Sequence, residues 1–203
     1  MESNQVYKNR ALASLEGHWG NAVLASFIYF VLVSGVGGIF DWVLFKYSSY
    51  IWMILCFPFM WGFCVYFLNL VRQEDVRLER LFDGYKDIVR IFLAYFISGI
   101  VICLGLALLI VPGIILSLAY SQVSFILKDN PEMSAVDALK KSREMMKGHK
   151  GEYFVLGLSF IGWILLAILT LGVGLIALEP YMYATMAHFY EDLKAEQKIE
   201  PIV

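Results

Sequence analysis

Four stretches of this chain are almost free of formal charge, and their lengths constrain the fold more than any motif does. Trp19 to Phe40 runs for 22 uncharged residues, Tyr47 to Val71 for 25 and Ile91 to Leu127 for 37; Tyr153 to Tyr190 carries only Glu179. A helix rises about 1.5 Å per residue, so roughly 20 apolar residues cross a hydrocarbon core of about 30 Å. The first two stretches each fit one crossing. The third is too long for one helix and contains Pro112-Gly113, and the fourth has Gly172-Val173-Gly174 near its middle. A turn at each site predicts an all-α polytopic membrane protein with six transmembrane helices, at about 20–40, 50–71, 89–110, 112–128, 152–171 and 174–191.

Composition agrees with lipid as the surrounding medium. Of 203 residues, 60% are hydrophobic and 17% charged, against roughly 45–50% and 25% in soluble domains. A soluble domain of this size hides about 70% of its unfolded surface, which leaves too much apolar surface in water. A net charge of −2 offers no polycation for a phosphate backbone, so no nucleic-acid partner is expected. The lipid bilayer is the expected partner.

The loops give an independent test of the span count. With six crossings, 15 of the 16 basic residues fall on the side of both termini, and only Lys46 lies opposite. The positive-inside rule then puts both termini and the two long polar loops in the cytoplasm. The lead before Trp19 is long and the apolar run exceeds a signal-peptide core, so the first span is expected to be retained. Cys56, Cys64 and Cys103 all fall within predicted spans and read as packing residues rather than a disulfide or metal framework.

Three segments align ahead of the first, third and fifth spans: ALASLEGHWGNAVLASFIYF from Ala11, LERLFDGYKDIVRIFLAYF from Leu78 and SREMMKGHKGEYFVLGLSF from Ser142. Each is a polar helix, a glycine (Gly17, Gly84, Gly148) and then a span. An aromatic follows twelve residues later at Tyr29, Phe96 and Phe160, and the second span of each unit carries Pro58, Pro112 or Pro180. The chain thus reads as one membrane domain, 1–203, of repeat units at about 4–71, 72–128 and 130–192 with a polar tail, 193–203. Each unit is a helical hairpin preceded by a cytoplasmic amphipathic helix. The repeat starts each copy on the same side, which predicts a pseudo-threefold ring about the membrane normal.

In the leading helices, Leu78, Leu81, Phe82 and Tyr85 share one face, as do Ala135, Ala138, Leu139, Ser142, Met145 and Met146. Such helices are expected in the cytoplasmic interface. Ser134 and Asp137 mark a helix start, and the repeat glycines are expected to take the left-handed conformation that ends each helix.

These residues resemble a bacterial integral membrane family known as domain of unknown function nine-seventy-five. The resemblance rests on ALASLEGHWG (11–20), LFDGYK (81–86), VPGIILSLAYSQVSFILKD (111–129), Asn130-Pro131, ALKKSREMMKG (138–148), SFIGW (159–163), the Thr170, Gly172 and Gly174 pattern, Pro180-Tyr181 and Phe189-Tyr190. It implies a multi-pass protein of the bacterial cytoplasmic membrane and carries over no catalytic residue or cofactor. The short polar loop around Lys46 departs from it.

Polar residues inside the spans are the candidate functional residues. An ionised group at a helix centre costs about 2.5–3.5 kcal/mol on insertion scales, so Glu179 is either an interfacial residue beside Pro180 or an ion-coupled site. Ser117, Ser121 and Ser124 give the fourth span one polar face, flanked by Gln122, which either admits a neighbouring helix or lines a path. His188 is the remaining candidate; His18 and His149 lack further ligands for a metal. Trp19, Trp42, Tyr50 and Trp52 read as interfacial anchors, and Trp61 and Trp163 as packing residues.

No nucleophile elbow, phosphate loop, HExxH or paired-carboxylate motif occurs, so no enzyme is expected. Two readings remain. One is a scaffold or accessory protein acting through a protein partner or lipids. The other is a small transporter with a path past Glu179, His188 and the fourth-span serines. The basic 128–150 segment suits anionic lipid at the cytoplasmic face.

Overall fold

The computed structural model describes residues 2–36 and 48–199, and these are mainly helical, with no strand among the described residues. The helices are α1 (Asn4–Leu15), α2 (Trp19–Phe30, continued by a π-helical stretch, Val31–Val36) and α3 (Ser48–Val71), then a 3-10 segment (Leu78–Asp87). There follow α4 (Ile88–Leu108), α5 (Ile110–Ala119), α6 (Val123–Asp129), α7 (Ala135–Met145), α8 (Lys150–Leu158), α9 (Ile161–Leu169) and α10 (Val173–Ile199).

Four helical runs are long and apolar enough to cross a membrane: Ile54–Val71, Leu78–Leu108, Ile110–Asp129 and Lys150–Leu169. They correspond to the expected second to fifth spans. Trp19–Val33 is a shorter apolar helix. The rest of the first expected span, with Trp42 and the loop around Lys46, lies outside the described residues. The sixth is a 27-residue helix, α10, interrupted neither by Pro180 nor by Glu179. Its aromatic, histidine and acidic residues make it less apolar than those four runs, and Ala184, Ala187 and Phe189 along it are buried.

The helices divide into inner and outer sets. In the apolar window of α3, 67% of residues are buried, against 17% in those of α4 with its 3-10 lead and of α8–α9. Phe63, Tyr66, Phe67 and Leu68 of α3, Ile126 and Leu127 of α6, and Ala184, Ala187 and Phe189 of α10 are almost inaccessible. Outward-facing positions carry Leu24, Phe27, Leu93, Ile100, Leu104, Leu165 and Ile168, all exposed. A large contiguous apolar surface of this kind is what lipid covers.

The turn between α4 and α5 falls at Leu109, three residues before the expected Pro112-Gly113. Leu109 is extended, with φ −158° and ψ 144°. Pro112 instead sits in the first turn of α5, where its missing N–H costs nothing. Gly113 lets α4 and α5 touch: a Cβ there would lie 2.8 Å from the Leu106 Cα, and one on Gly105 would lie 3.1 Å from the Gly113 Cα. The second turn falls where expected, with Leu171 and Gly172 at φ 56° and 83°.

The leading segments dock more deeply than an interfacial helix would. Ser134 caps α7 by accepting from the Asp137 N–H at 3.2 Å, and the predicted apolar face from Ala135 to Met146 is buried as expected. That face lies in the break between α5 and α6, where the Ser142 hydroxyl donates to the Ala119 carbonyl at 2.8 Å and accepts from the Gln122 N–H at 3.3 Å. The break exposes backbone groups that a continuous helix would satisfy itself, and Ser142 satisfies them. The second leading segment is 3-10 rather than α-helical: its Leu81 is buried while Phe82 and Tyr85 stay exposed. Gly17 and Gly148 take the expected left-handed conformation, φ 78° and 92°. Gly84 does not, and is required by closeness, since a Cβ there would meet the Pro58 carbonyl oxygen at 2.1 Å.

Candidate functional site

The chain concentrates its buried charge at one end of the inner helices. Arg72, the residue after α3, meets Asp129 at the end of α6 through Nη1–Oδ1 (2.6 Å) and Nη2–Oδ2 (2.8 Å). Its other edge reaches Glu191 of α10, with Nε and Nη2 at 2.8 and 2.6 Å from Oε1. The Tyr190 hydroxyl and the Lys194 ammonium also donate to Asp129 Oδ2, at 2.9 and 2.5 Å. The side chains of Arg72 and Asp129 are only 16% and 10% exposed, which is tolerable because each charge is paired and its hydrogen-bonding capacity is largely filled.

Sequence reasoning missed this cluster, although a signal was present. Arg72, Asp129 and Glu191 each stand within a residue or two of the last apolar position in the expected second, fourth and sixth spans. Reading those three positions together would have nominated them. Around the cluster, α10 binds α1 as well: Arg10 donates to Asp192 at 3.1 Å and the His188 ring bonds Ser14 at 2.9 Å. Lys8 is almost buried, donates to the Ser159 carbonyl at 2.9 Å, and sits 4.4 Å from the centre of the Phe160 ring. The carbonyl freed by the α8–α9 break and the aromatic face take the place of a carboxylate.

The six expected site residues do not form one site. Ser117 donates back to Ile114 at 2.8 Å on an exposed face. Ser121 and the buried Gln122 bond each other at 2.9 Å beside Ser142. Ser124 pairs with the Tyr95 hydroxyl at 2.8 Å, while its carbonyl accepts from the Trp61 indole at 3.0 Å, both in the α3–α4–α6 seam. His188 faces α1. Glu179 lies far along α10 toward the Leu171 turn, half-buried, with Oε2 enclosed and without a hydrogen-bond partner among the described residues. Cys56, Cys64 and Cys103 are free thiols. No group of three or more metal-ligating side chains occurs among the described residues.

Surface hollows accompany these features, among them two apolar ones and a basic one. An apolar groove of about 370 Å³ is lined by Leu12, Trp19, Trp163, Thr170, Leu178 and Tyr181, and Trp163 is more exposed, at 53%, than its expected packing role requires. A second, of about 490 Å³, is framed by Lys140, Arg143, Glu144, Lys147 and Lys150. The third, about 360 Å³, runs between α5 and α8 and is apolar apart from its edge at Lys150.

An all-helical bundle with polar helix ends clasped together, apolar outer helices and an apolar far end defines a class rather than a reaction. Within that class, residues 99–197 match the model of the family described as "Protein of unknown function (DUF975)". This is the family that the sequence motifs resemble, and the match runs from the middle of α4 to the last turns of α10. No curated protein and no solved structure matches the chain.

Proposed function

We propose that this chain is a multi-pass protein of a bacterial cytoplasmic membrane, with six spans in three hairpins, both termini cytoplasmic, acting as a non-enzymatic scaffold or accessory protein. The observation that carries the reading is the convergence of Arg72, Asp129 and Glu191. Equivalent ends of three repeat units meet in one buried ion cluster, which supports a pseudo-threefold arrangement with the second helix of each unit inside. The distribution of 15 of 16 basic residues supports the orientation. Scattering of the polar candidates over separate seams supports a structural role for most of them.

Two measurements test it. Single cysteines at Glu74, Glu132 and Glu196, in a chain freed of its native cysteines, should react with an impermeant maleimide in inverted vesicles and be protected in intact cells. The reverse pattern overturns the orientation. The pure chain in proteoliposomes should leave small ions and amphiphiles where they are.

The second reading, a small transporter, rests on one observation, the enclosed and unpartnered Oε2 of Glu179. Solute flux by the chain alone that is abolished in Glu179→Gln would establish it and displace the first.

A further inference from the structure

We infer that the hollow framed by Lys140, Arg143, Lys147 and Lys150, together with the apolar groove between α5 and α8, is a binding site for one anionic phospholipid. The inference rests on the membrane reading above and adds a ligand and its seat. The two hollows share Lys150: it closes the basic one and edges the apolar one, whose walls are Val111, Ile114, Ile115, Leu118 and Phe154. A headgroup and an acyl chain require this combination side by side.

Charge selects the headgroup. Four cations face one carboxylate, Glu144, and only Lys140 has an ion-pair partner, Asp137 at 3.2 Å. Arg143, Lys147 and Lys150 have no carboxylate partner among the described residues, whereas Arg72, Arg77, Arg80, Lys86 and Arg90 each have one. Here three cations without such a partner line a single hollow. The backbone explains their gathering. Arg143 is exposed in the last turn of α7 and Lys147 in the turn that follows it, and the left-handed Gly148 turns the chain so that Lys150 opens α8.

The apolar half selects a lipid rather than a free phosphate. Val111, Ile114 and Ile115 on α5 and Phe154 on α8 are exposed, and from Leu118 to Val111 the groove follows about 10 Å of helix. A chain lying there covers side chains that no part of the described protein covers, while its phosphate replaces the missing carboxylates. A zwitterionic lipid fits the groove but brings its own ammonium against the cations, so the site discriminates by headgroup.

The test uses the full chain in detergent, with native mass spectrometry after mixing with phosphatidylglycerol or phosphatidylcholine of equal chain length. The wild type should retain phosphatidylglycerol preferentially. A well-placed cation contributes about fivefold, so R143Q/K147Q/K150Q should lose the preference by about 100-fold, and R143K/K147R/K150R should keep it. Filling the groove with I115W should weaken phosphatidylglycerol while leaving weak binding of glycerol phosphate unchanged. Undiminished retention by the triple glutamine variant overturns the site, as does equal competition by inorganic phosphate. A carbonate wash of vesicles separates the two levels: protein that stays embedded yet shows no headgroup preference sinks the lipid site alone, and protein that washes off sinks the membrane reading.

Discussion

Arg72 and Asp129 are joined by two parallel hydrogen bonds across 57 residues of sequence, and the same guanidinium also holds Glu191. One planar side chain thereby ties the ends of α3 and α6 to the last third of α10. Arginine suits this position because its donors lie in a rigid fork that two carboxylates can share.

Removing Arg72 should therefore be the most damaging change at the cluster. Arg72→Gln leaves Asp129, 10% exposed, with the Lys194 ammonium and Tyr190 hydroxyl only, and deserts Glu191. Stripping one partner from a buried pair costs about 3–5 kcal/mol. Asp129→Asn should cost less, since Arg72 retains Glu191 and Lys194 is partly solvated. Thermal unfolding in a mild detergent measures both, and the double variant should fall short of their sum by about 1–2 kcal/mol. Strict additivity would mean that the pair does not couple the helices.

Two glycines distinguish closeness from backbone freedom. A Cβ on Gly62 would stand 2.0 Å from the Leu81 carbonyl oxygen, so Gly62→Ala must push the 3-10 segment off α3. Gly17 has φ 78° and open space around it, so Gly17→Ala meets only the left-handed penalty of about 1–2 kcal/mol. Hydrogen exchange across 78–87 should accelerate in the first variant and stay unchanged in the second. Equal protection in both would remove the close-packing explanation.

The sequence made legible whatever depends on local pattern. Charge-free lengths located the apolar helices, and the Leu171-Gly172 turn, the Ser134 cap and the buried face of α7 follow from residues a few positions apart. The breaks at 120–122 and 159–160 were not legible, because each is stabilised from elsewhere, by Ser142 on α7 and by Lys8 on α1. The same reason hid the Leu109 turn: Pro112-Gly113 looks like a turn signal until Leu106 and Gly105 are seen to need the glycine for contact. The polar candidates were identified correctly as polar, but periodicity along one helix could not show that Ser121, Ser124 and His188 serve three different neighbours.

The loop after α3 should respond to acid in a defined direction. Asp75 accepts from Arg77 and Arg80, and those hydrogen bonds hold its carboxyl well below the usual carboxylate range. A carboxylate depressed in the folded state stabilises it at all pH values above the unfolded value and ceases to do so as pH falls through the folded one. The segment 75–87 should thus keep constant protection from pH 7 to about 5 and lose it below about 4. Asp75→Asn should be less protected at neutral pH and lose the acid dependence. An unchanged acid response in that variant would assign it to another group.

The turns at the far end make the strongest demand on the surroundings. Leu108, Leu109, Ile110 and Val111 are 80%, 67%, 71% and 65% exposed, and Leu171 is 95% exposed. Water would be a poor neighbour for either tip. Their backbones are prepared for its absence: the Leu109 N–H donates to Gly105 and its carbonyl accepts from Gly113, while Gly172 donates to Ala167. The Thr170 hydroxyl donates to Ala167 at 2.6 Å and accepts from Gly174 at 2.8 Å. Turns that satisfy their own peptide groups, and whose one exposed hydroxyl is bonded within the turn, belong in hydrocarbon or at its edge. From Arg90 to Leu109 is 19 residues, about 28 Å of helix, which just matches the hydrocarbon thickness. Leu109→Lys and Leu171→Asp should each lower the yield of membrane-inserted protein several-fold, while Leu109→Phe and Leu171→Phe should be tolerated. A cysteine at Leu109 should resist an impermeant maleimide from either side and be quenched, when labelled with a fluorophore, by lipids brominated along their chains. Rapid labelling from the outer side, with tolerance of the lysine, would place the tip in water.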